Sequence, residues 1–182
     1  MSAPVPFGWA RAAAVRLTFR PIGKADLAFL ARVYTSTRTE ELALTEMSDE
    51  AKAAFLHMQF WAQHAHYQKH YPQADWLVIA RDGVDIGRLY IERWPTQHRI
   101  IDIALLPQYR GGGAGEALLR DLMDEAAAAR KAVSIHVEKM NPAMRLYRRL
   151  GFVTEEDKGV YDLMRWTPRQ PATVPADRGD ER

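Results

Sequence analysis

The sequence predicts an α/β (α+β) fold in which helices cover both faces of a mixed, mainly antiparallel sheet of six to seven strands. Two observations carry this prediction. Short stretches alternate apolar with polar residues and meet at tight turns such as Arg81-Asp82-Gly83, which is the pattern of a β-hairpin. Elsewhere a strand pattern leads into a helix and then into another strand, as in a crossover connection. The combined order is β-α-α-β-β-β-α-β-α-β-β, and a sheet with both kinds of connection is predicted to have helices on both faces.

The first half of the chain is predicted to contain a strand, two helices and a hairpin. The first strand alternates apolar and polar residues and so has one buried face. Ser48 is a suitable N-cap for the second helix, because Asp49 and Glu50 follow in the first turn. The predicted segments are a strand at 15–20, a helix from Ala25 that ends in the polar run 35–39, a helix from Ser48 to just before Pro72, and hairpin strands at 76–80 and 84–94.

The second half is predicted to contain two strand-to-helix units and a closing hairpin. Asn141 is a favourable cap for the last helix, with Pro142 at its first position and Gly151 as its stop. The predicted segments are a strand at 100–106, a helix from Ala114 to about Arg130, a strand at 132–138, a helix from Asn141 to Leu150, and hairpin strands at 152–155 and 160–166.

Length and composition predict one globular domain. We expect a flexible leader at residues 1–14, a single domain at 15–166 and a disordered tail at 167–182, where proline and charge occur without apolar periodicity. The formal net charge of +2 is too small to favour nucleic acid or an anionic membrane as a partner. No apolar run is long enough to span a membrane, and no secretory signal pattern is present, so we expect a cytoplasmic protein.

Cysteine is absent from the sequence. This excludes disulfides, thiolate metal ligands and a cysteine acyl-enzyme. His66 and His70 have the four-residue spacing of metal ligands on a helix, but no third ligand or partner acid is evident. We therefore interpret them as part of a solvated polar face, and we expect no metal site.

The most informative stretch is a glycine-rich loop between a strand and a helix. Four of the five residues 111–115 are glycine, which allows positive φ angles and lets a ligand approach the backbone closely. The start of the helix adds unpaired N–H groups and the positive end of the helix dipole. This combination predicts a phosphate-binding site.

Two common phosphate motifs do not fit this loop. A P-loop needs Lys-Ser or Lys-Thr after its last glycine, whereas Gly115 is followed by Glu116-Ala117. The dinucleotide fingerprint spaces its glycines differently. The pattern Arg-x-x-Gly-x-Gly does fit, at Arg110, Gly113 and Gly115, and it resembles the acyl-CoA signature of the Gcn5-related N-acetyltransferase (GNAT) superfamily.

A second stretch is similar to another GNAT motif, Asn-x-x-Ala-x-x-Leu-Tyr followed by Gly-Phe. It comprises the residues from Asn141 to Tyr147 together with Gly151-Phe152. Asn141 lies one residue closer to Tyr147 than in the usual pattern. This spacing leaves Tyr147 in its expected place but departs from the pattern in which Asn141 contacts pantetheine. The resemblance covers roughly residues 15–166, and its motifs lie in the second half.

The resemblance implies the GNAT fold and an N-acetyltransferase that uses acetyl-CoA as co-substrate. The acetyl group would pass to a primary amine by direct attack. The alternative is a non-catalytic domain that binds or senses acyl-CoA. The residues implied in acyl-CoA binding are Ile103, Ala104, Leu105, Arg110, Gly111, Gly112, Gly113, Ala114, Gly115, Glu116 and Asn141.

The implied reaction needs an oxyanion donor, a proton donor for the leaving thiolate and a route for deprotonating the amine. The resemblance places the oxyanion donor at a backbone N–H near Leu105 and the proton donor at Tyr147. For the base the sequence leaves three candidates open, which are His136, Asp102 and Glu92. A base that acts through water needs none of them in direct contact.

The acceptor is the least determined part of the prediction. In this fold it lies against the first two helices, so five residues are candidates for its pocket: Arg38, Glu40, Glu41, Trp61 and His64. A small-molecule amine and a protein or peptide amine both stay open. The same holds for a monomer or a homodimer.

Overall fold

The structure is a computed structural model that describes residues 8–169 of the chain. Within these residues it contains five α-helices and seven strands. The helices are α1 (Ala10–Ala14), α2 (Leu27–Ala43), α3 (Asp49–His70), α4 (Ala114–Ala128) and α5 (Met144–Arg149). The strands are β1 (Leu17–Pro21), β2 (Asp75–Arg81), β3 (Val84–Arg93), β4 (Gln97–Leu105), β5 (Ala132–Glu138), β6 (Val153–Lys158) and β7 (Tyr161–Trp166).

The seven strands form one sheet in the order β1-β2-β3-β4-β5-β7-β6. Neighbouring strands are antiparallel except β4 and β5, which are parallel. The crossover between these two strands is α4, while β2–β3 and β6–β7 are hairpins. The predicted fold class is confirmed, a mixed and mainly antiparallel sheet with helices on both faces.

The parallel pair β4–β5 is hydrogen-bonded along only part of its length. Its register runs from Gln97 opposite Ala132 to Ile100 opposite Ile135 and then stops. At this point β4 has a bulge, because Ile91 of β3 lies opposite Ile100 while Tyr90 lies opposite Asp102. Beyond the bulge β4 and β5 separate, since a bulge bends and twists its strand. The resulting gap positions the candidate site.

Two hydrophobic clusters hold helices against the two faces. The larger includes Leu118 and Leu122 of α4, Tyr147 of α5 and the residues of β1–β5 and β7 beneath them. The smaller joins α2 and α3 to β3 through Leu30, Phe60 and Tyr90. Every residue of β6 is exposed, so that end of the sheet has an open face.

The first helix was predicted to end in the polar run 35–39, and this prediction is wrong, because α2 continues to Ala43. Three hydroxyls of the run turn back onto the helix. Those of Ser36 and Thr37 donate to the carbonyls of Val33 and Tyr34 (2.7 Å each), and that of Thr39 donates to the carbonyl of Thr35 (3.0 Å). Local side-chain bonding of this kind lets polar β-branched residues stay inside a helix.

The flexible leader predicted at residues 1–14 needs correction in its described part, residues 8–14. These residues include α1, and Trp9 is buried. The Trp9 indole donates to Glu125 Oε2 of α4 (2.7 Å), and its ring packs edge-on against Phe19 at 5.1 Å. The buried Asp121 carboxylate accepts the N–H of Ala12 (2.7 Å). Residues 1–7 of the leader and 170–182 of the predicted tail lie outside the described residues.

We expect Trp9→Ala to lower the free energy of unfolding by about 3 kcal/mol, because it deletes a buried aromatic side chain. Urea denaturation measures the change. The matched control is Trp61→Ala, since Trp61 lies on α3 with a large exposed fraction. A loss for Trp9→Ala no larger than that for Trp61→Ala would mean that residues 8–14 do not pack as described.

The last helix begins later than predicted, at Met144 instead of just after Asn141. The Asn141 side chain accepts the N–H of Ala143 (2.9 Å), and the carbonyl of Asn141 accepts the N–H of Met144 (3.0 Å). Asn141 therefore closes a turn that precedes the helix, as Asn does in an Asx-turn. No described helix combines the length and apolar character needed to cross a membrane.

Candidate active site

The glycine loop follows β4 through a 3-10 turn at Pro107–Tyr109 and leads into α4. Gly111 has φ +75° and Gly113 has φ +80°, which are left-handed conformations that favour glycine. A Cβ added at either residue would meet no atom within 4 Å. The loop therefore has an open outer side, and its glycines meet a conformational need.

The start of α4 offers unpaired N–H groups. The N–H of Ala117 is the first to meet a carbonyl of the preceding turn, that of Gly113 (2.9 Å). Within residues 8–169 the N–H groups of Ala114, Gly115 and Glu116 have no such partner. They lie at the positive end of a helix of 15 residues, which suits a phosphate group. The backbone of the loop and of this first turn therefore suits a ligand that carries phosphate groups.

Two side chains of the predicted binding stretch, those of Arg110 and Glu116, bond to other parts of the protein. The Arg110 guanidinium donates to the carbonyl of Leu105 (2.8 Å) and reaches the Ser36 carbonyl and hydroxyl at 3.4 Å. The Glu116 carboxylate accepts from Arg149 (2.5 Å) and Arg120 (2.9 Å). Arg110 thus connects the loop to β4 and α2. The Glu116 carboxylate is already paired, so Glu116 would bind a ligand through its backbone N–H.

The end of β4 faces the gap between the separated strands. The N–H of Leu106 donates to the carbonyl of Ile86 on β3 (2.8 Å). Backbone groups alternate in direction along a strand, so the N–H of Leu105 faces the opposite edge, toward β5. The three residues of β4 that are predicted to bind acyl-CoA, Ile103, Ala104 and Leu105, therefore lie along the open edge of the gap.

A cavity of about 160 Å³ occupies the gap on the side of α2 and α3. It brings together residues that are far apart in the sequence. Its lining includes seven of the residues predicted from the sequence, namely Arg38, Asp102, Ile103, Ala104, His136, Asn141 and Tyr147. Its other lining residues are Tyr34, Thr37, Gln63, Tyr67, Arg88, Ile101, Ile135, Val137, Glu138 and Tyr161.

Tyr147 is positioned by α5 and by its packing. Only 4% of the residue is exposed, and its ring lies edge-on to Phe152 at 5.5 Å. Burial raises the pKa of Tyr147 well above its usual value, and the nearby Asp102 carboxylate adds to the rise. The phenol is therefore protonated at neutral pH and for some distance above it. It is suited to donating a hydrogen bond at the cavity wall.

His136 lines the cavity from β5, but one of its ring nitrogens is occupied. The Arg99 guanidinium contacts His136 Nδ1. Arginine can only donate, so Nδ1 accepts and the proton of the neutral ring lies on Nε2. Burial lowers the pKa of His136, and the positive charges of Arg99 and Lys158 lower it further. In this arrangement the ring has no free lone pair for the proton of an amine.

We expect the pKa of His136 to lie below the ordinary value of about 6.5 and to rise in Arg99→Met, because the substitution removes a neighbouring cation. Titration of the His136 ring protons by NMR measures both values. Arg165→Met is the control, since Arg165 is a cation on the neighbouring strand that pairs with Glu155 (2.8 Å). If the pKa of His136 were unchanged in Arg99→Met, the Arg99 guanidinium would not contact His136 Nδ1 in solution.

Asp102 is paired with a buried arginine from β3. Arg88 Nη2 lies 2.5 Å from Asp102 Oδ2 and 2.9 Å from Gln63 Oε1. The Arg88 and Asp102 side chains are 3% and 15% exposed. This ion pair explains why a carboxylate lies within the apolar stretch 100–105 of β4, because the burial of a carboxylate without a partner is costly.

Glu92, the third candidate base, lies away from the cavity. Its carboxylate accepts from the N–H of Gln73 (3.1 Å) and from Trp94 Nε1 (2.6 Å). These bonds fix the connection between α3 and β2 to the end of β3. The structure therefore does not place Glu92 with the other two candidate bases, His136 and Asp102.

Only Arg38 of the five predicted acceptor residues lines the cavity. Glu41 lies outside the cavity and pairs with Arg38 on α2, with 3.3 Å between Glu41 Oε2 and Arg38 Nη1. Trp61 is exposed on α3, and His64 lines a separate groove next to β1 and β2. Glu40 is exposed on α2. The prediction for these four residues does not match the cavity, because α2 and α3 present other faces to it.

Sequence reasoning missed Arg88 and Glu138. Arg88 interrupts an apolar strand, just as Asp102 does, and two opposite charges in neighbouring strands are a signal for a buried pair. Glu138 follows the alternation of β5, two residues after His136, and so faces the same side of the sheet. Tyr161 lies opposite Glu138 on β7 and donates to Glu138 Oε1 (3.1 Å).

Comparison with known proteins agrees with this geometry. The acetyltransferase (GNAT) domain family matches residues 72–154. A candidate ribosomal protein bS18-alanine N-acetyltransferase of Bacillus subtilis (strain 168) is 36% identical over 83 residues, which are 44% of this chain and 54% of that protein. The match thus spans about half the length of this curated relative.

Two solved structures illustrate the likeness in fold. The PaiA N-acetyltransferase of Thermoplasma acidophilum in complex with coenzyme A has a TM-score of 0.60 at 17% identity, over 84% of this chain and 99% of that one. The candidate acetyltransferase YncA of Salmonella typhimurium with acetyl-CoA has a TM-score of 0.53 at 22% identity, over 88% and 99%. The family match, the fold and the glycine loop agree: residues 72–154 are similar to the GNAT domain family, and the whole described fold is like that of solved N-acetyltransferases.

Proposed function

We propose that this chain transfers the acetyl group of acetyl-CoA to a primary amine by direct attack. The observation that carries the proposal is the separation of β4 and β5. It opens one cavity that is lined by Tyr147 and by Ile103 and Ala104 at the free edge of β4. These are the groups that acyl transfer from a thioester requires.

Each part of acetyl-CoA has a set of residues to hold it. The N–H groups from Gly111 to Glu116 would bind the pyrophosphate, and the edge of β4 from Ile103 to Leu105 would bind the pantetheine. The bound co-substrate supplies an activated acetyl thioester. The N–H of Leu105 would stabilise the negative charge on the thioester oxygen, and Tyr147 would face the sulfur.

Tyr147 is better suited to hydrogen bonding than to complete proton transfer. An ordinary thiol has a pKa of about 8.5 and an ordinary phenol about 10, so proton transfer to the thiolate is already uphill. Burial raises the pKa of Tyr147 further. We infer that its hydroxyl donates a hydrogen bond to the leaving sulfur, which then takes its proton from water.

The amine loses its proton to water in this proposal. His136 Nδ1 is occupied by Arg99, and Asp102 is paired with Arg88. A peptide α-amine, with a pKa of about 7.7–8.0, is partly neutral at physiological pH, whereas an alkylamine near 10.4 is mostly charged. This difference favours an α-amine acceptor, and the B. subtilis relative is named for acetylation of an alanine on a ribosomal protein.

Thiol release from acetyl-CoA tests the proposal with three probes: a hexapeptide with a free N-terminal alanine, the same peptide N-terminally blocked but carrying a lysine, and spermidine. We expect amine-dependent release that is fastest with the free N-terminal alanine. Binding of acetyl-CoA without release in the presence of any of the three would support the alternative, a domain that binds acyl-CoA without catalysis.

A further inference from the structure

We propose that Glu138 is the residue that binds the ammonium group of the acceptor as it enters the cavity. The inference rests on the proposed function, because it concerns the acceptor of that same reaction. Its basis is the contrast between Glu138 and the two other side chains of the cavity that could accept a proton, His136 and Asp102. Three groups, His136, Asp102 and Glu138, each face an arginine, but they differ in how firmly that arginine is held.

The inner pair, Arg88 and Asp102, is locked. Its two side chains are nearly buried, Gln63 takes a second bond from Arg88, and the Arg88 guanidinium lies 5.3 Å from the centre of the Tyr90 ring. Opening this pair would leave a buried charge without a partner, which is strongly unfavourable. Asp102 is therefore unavailable to an incoming cation.

The outer pair, Arg38 and Glu138, is open to exchange. Arg38 Nη1 lies 2.6 Å from Glu138 Oε1, and the side chains are 24% and 29% exposed. Arg38 also lies 3.3 Å from Glu41 Oε2, on the outer side of α2. A cation that reaches Glu138 can therefore displace Arg38 toward a second carboxylate, so neither charge is left alone.

One oxygen of the Glu138 carboxylate is available to accept a further hydrogen bond. Its Oε1 accepts from both Arg38 and Tyr161, while within residues 8–169 its Oε2 has no recorded partner. Tyr161 holds the carboxylate from the open end of the sheet and is itself 41% exposed. The Glu138 carboxylate is thus fixed in position, lies beside an arginine and is reachable from solvent, which are the properties of an ammonium-binding group.

The size of the cavity places this group on the path of the acceptor. A volume of about 160 Å³ admits an amine and the first few carbon atoms, and the rest of a peptide must extend out over the mouth. Glu138 and Tyr161 line the same cavity as Tyr147. An amine held at Glu138 is therefore next to solvent, where it can lose its proton before it attacks.

The test compares binding of two peptides to the protein saturated with CoA. One is the hexapeptide with a free N-terminal alanine, and the other is its des-amino analogue. At pH 6.5 the α-amine is mostly charged, since its pKa is about 7.7–8.0. We expect the wild-type protein to bind the amine peptide about tenfold more tightly, as measured by calorimetry, because a charge-assisted hydrogen bond is gained.

Glu138→Gln should abolish this preference while keeping affinity for the des-amino peptide. The matched control is Glu156→Gln, an exposed carboxylate of β6 that pairs with Lys158 (3.0 Å) outside the cavity, and it should retain the wild-type ratio. Glu138→Ala, checked for native circular dichroism, gives the same readout if the Gln variant does not fold. A preserved preference in the Glu138 variants, or no preference in the wild-type protein, would overturn the inference. Thiol release decides the proposed function separately.

Discussion

Gly113→Asp is expected to abolish binding of acetyl-CoA while leaving the fold intact. Gly113 has φ +80° directly before α4, so any other residue is strained there. The aspartate would add a negative charge beside the N–H groups that receive the pyrophosphate. Isothermal titration calorimetry on a variant with a native circular dichroism spectrum measures the loss.

The control for this experiment is Gly159→Asp. Gly159 has φ +78° in the β6–β7 turn, and a Cβ there would also meet no atom within 4 Å. It therefore carries the same backbone strain and the same added charge at a distance from the loop. We expect normal affinity for acetyl-CoA in this variant. Normal affinity in Gly113→Asp as well would exclude the loop from the binding site.

Tyr147→Phe is expected to lower kcat about a hundredfold and to leave the KM for acetyl-CoA unchanged. The loss of one hydrogen-bond donor to a developing negative charge costs about 10²–10³-fold in kcat, and we expect the low end because a thiolate leaves fairly well without help. Burial raises the pKa of Tyr147 well above its usual value, so the wild-type profile should show no loss of activity from its ionisation up to about pH 9. The measurement is steady-state kinetics between pH 6 and pH 9.

A second buried tyrosine provides the control. Burial raises the pKa of Tyr90 to about 12, and Tyr90 packs under α3 without lining the cavity. Tyr90→Phe should therefore keep the wild-type kcat. If both variants keep it, the Tyr147 hydroxyl has a packing role only, and the leaving thiolate is stabilised by other groups.

The parts of the site that are local in sequence could be predicted from the sequence. The glycine loop, the following helix and Tyr147 lie in short stretches of sequence. In such stretches the residue types indicate the local conformation, as the glycine at position 113 indicates a positive φ. The fold class followed in the same way, from hairpins and crossovers. Boundaries were less secure where side chains decided them, as in α2, whose threonine and serine hydroxyls bond back to the helix.

The arginine partners could not be predicted, because each pair joins separate elements. Arg38 and Glu138 come from α2 and β5, Arg99 and His136 from β4 and β5. Their meeting depends on the register of the sheet and on the bulge in β4. Charged residues in apolar strands signal that a partner exists without identifying it. The same reason explains why His136 and Asp102 were open alternatives as bases.

The proposed reaction passes the acetyl group directly from acetyl-CoA to an amine in the cavity. A single-turnover experiment with radiolabelled acetyl-CoA, excess protein and the alanine hexapeptide tests it most directly. We predict that label enters the peptide at the rate at which it leaves acetyl-CoA, and that denatured protein carries none at any time. Label that accumulates on the protein, or acetyl-CoA that stays bound and intact in the presence of the peptide, would contradict the claim.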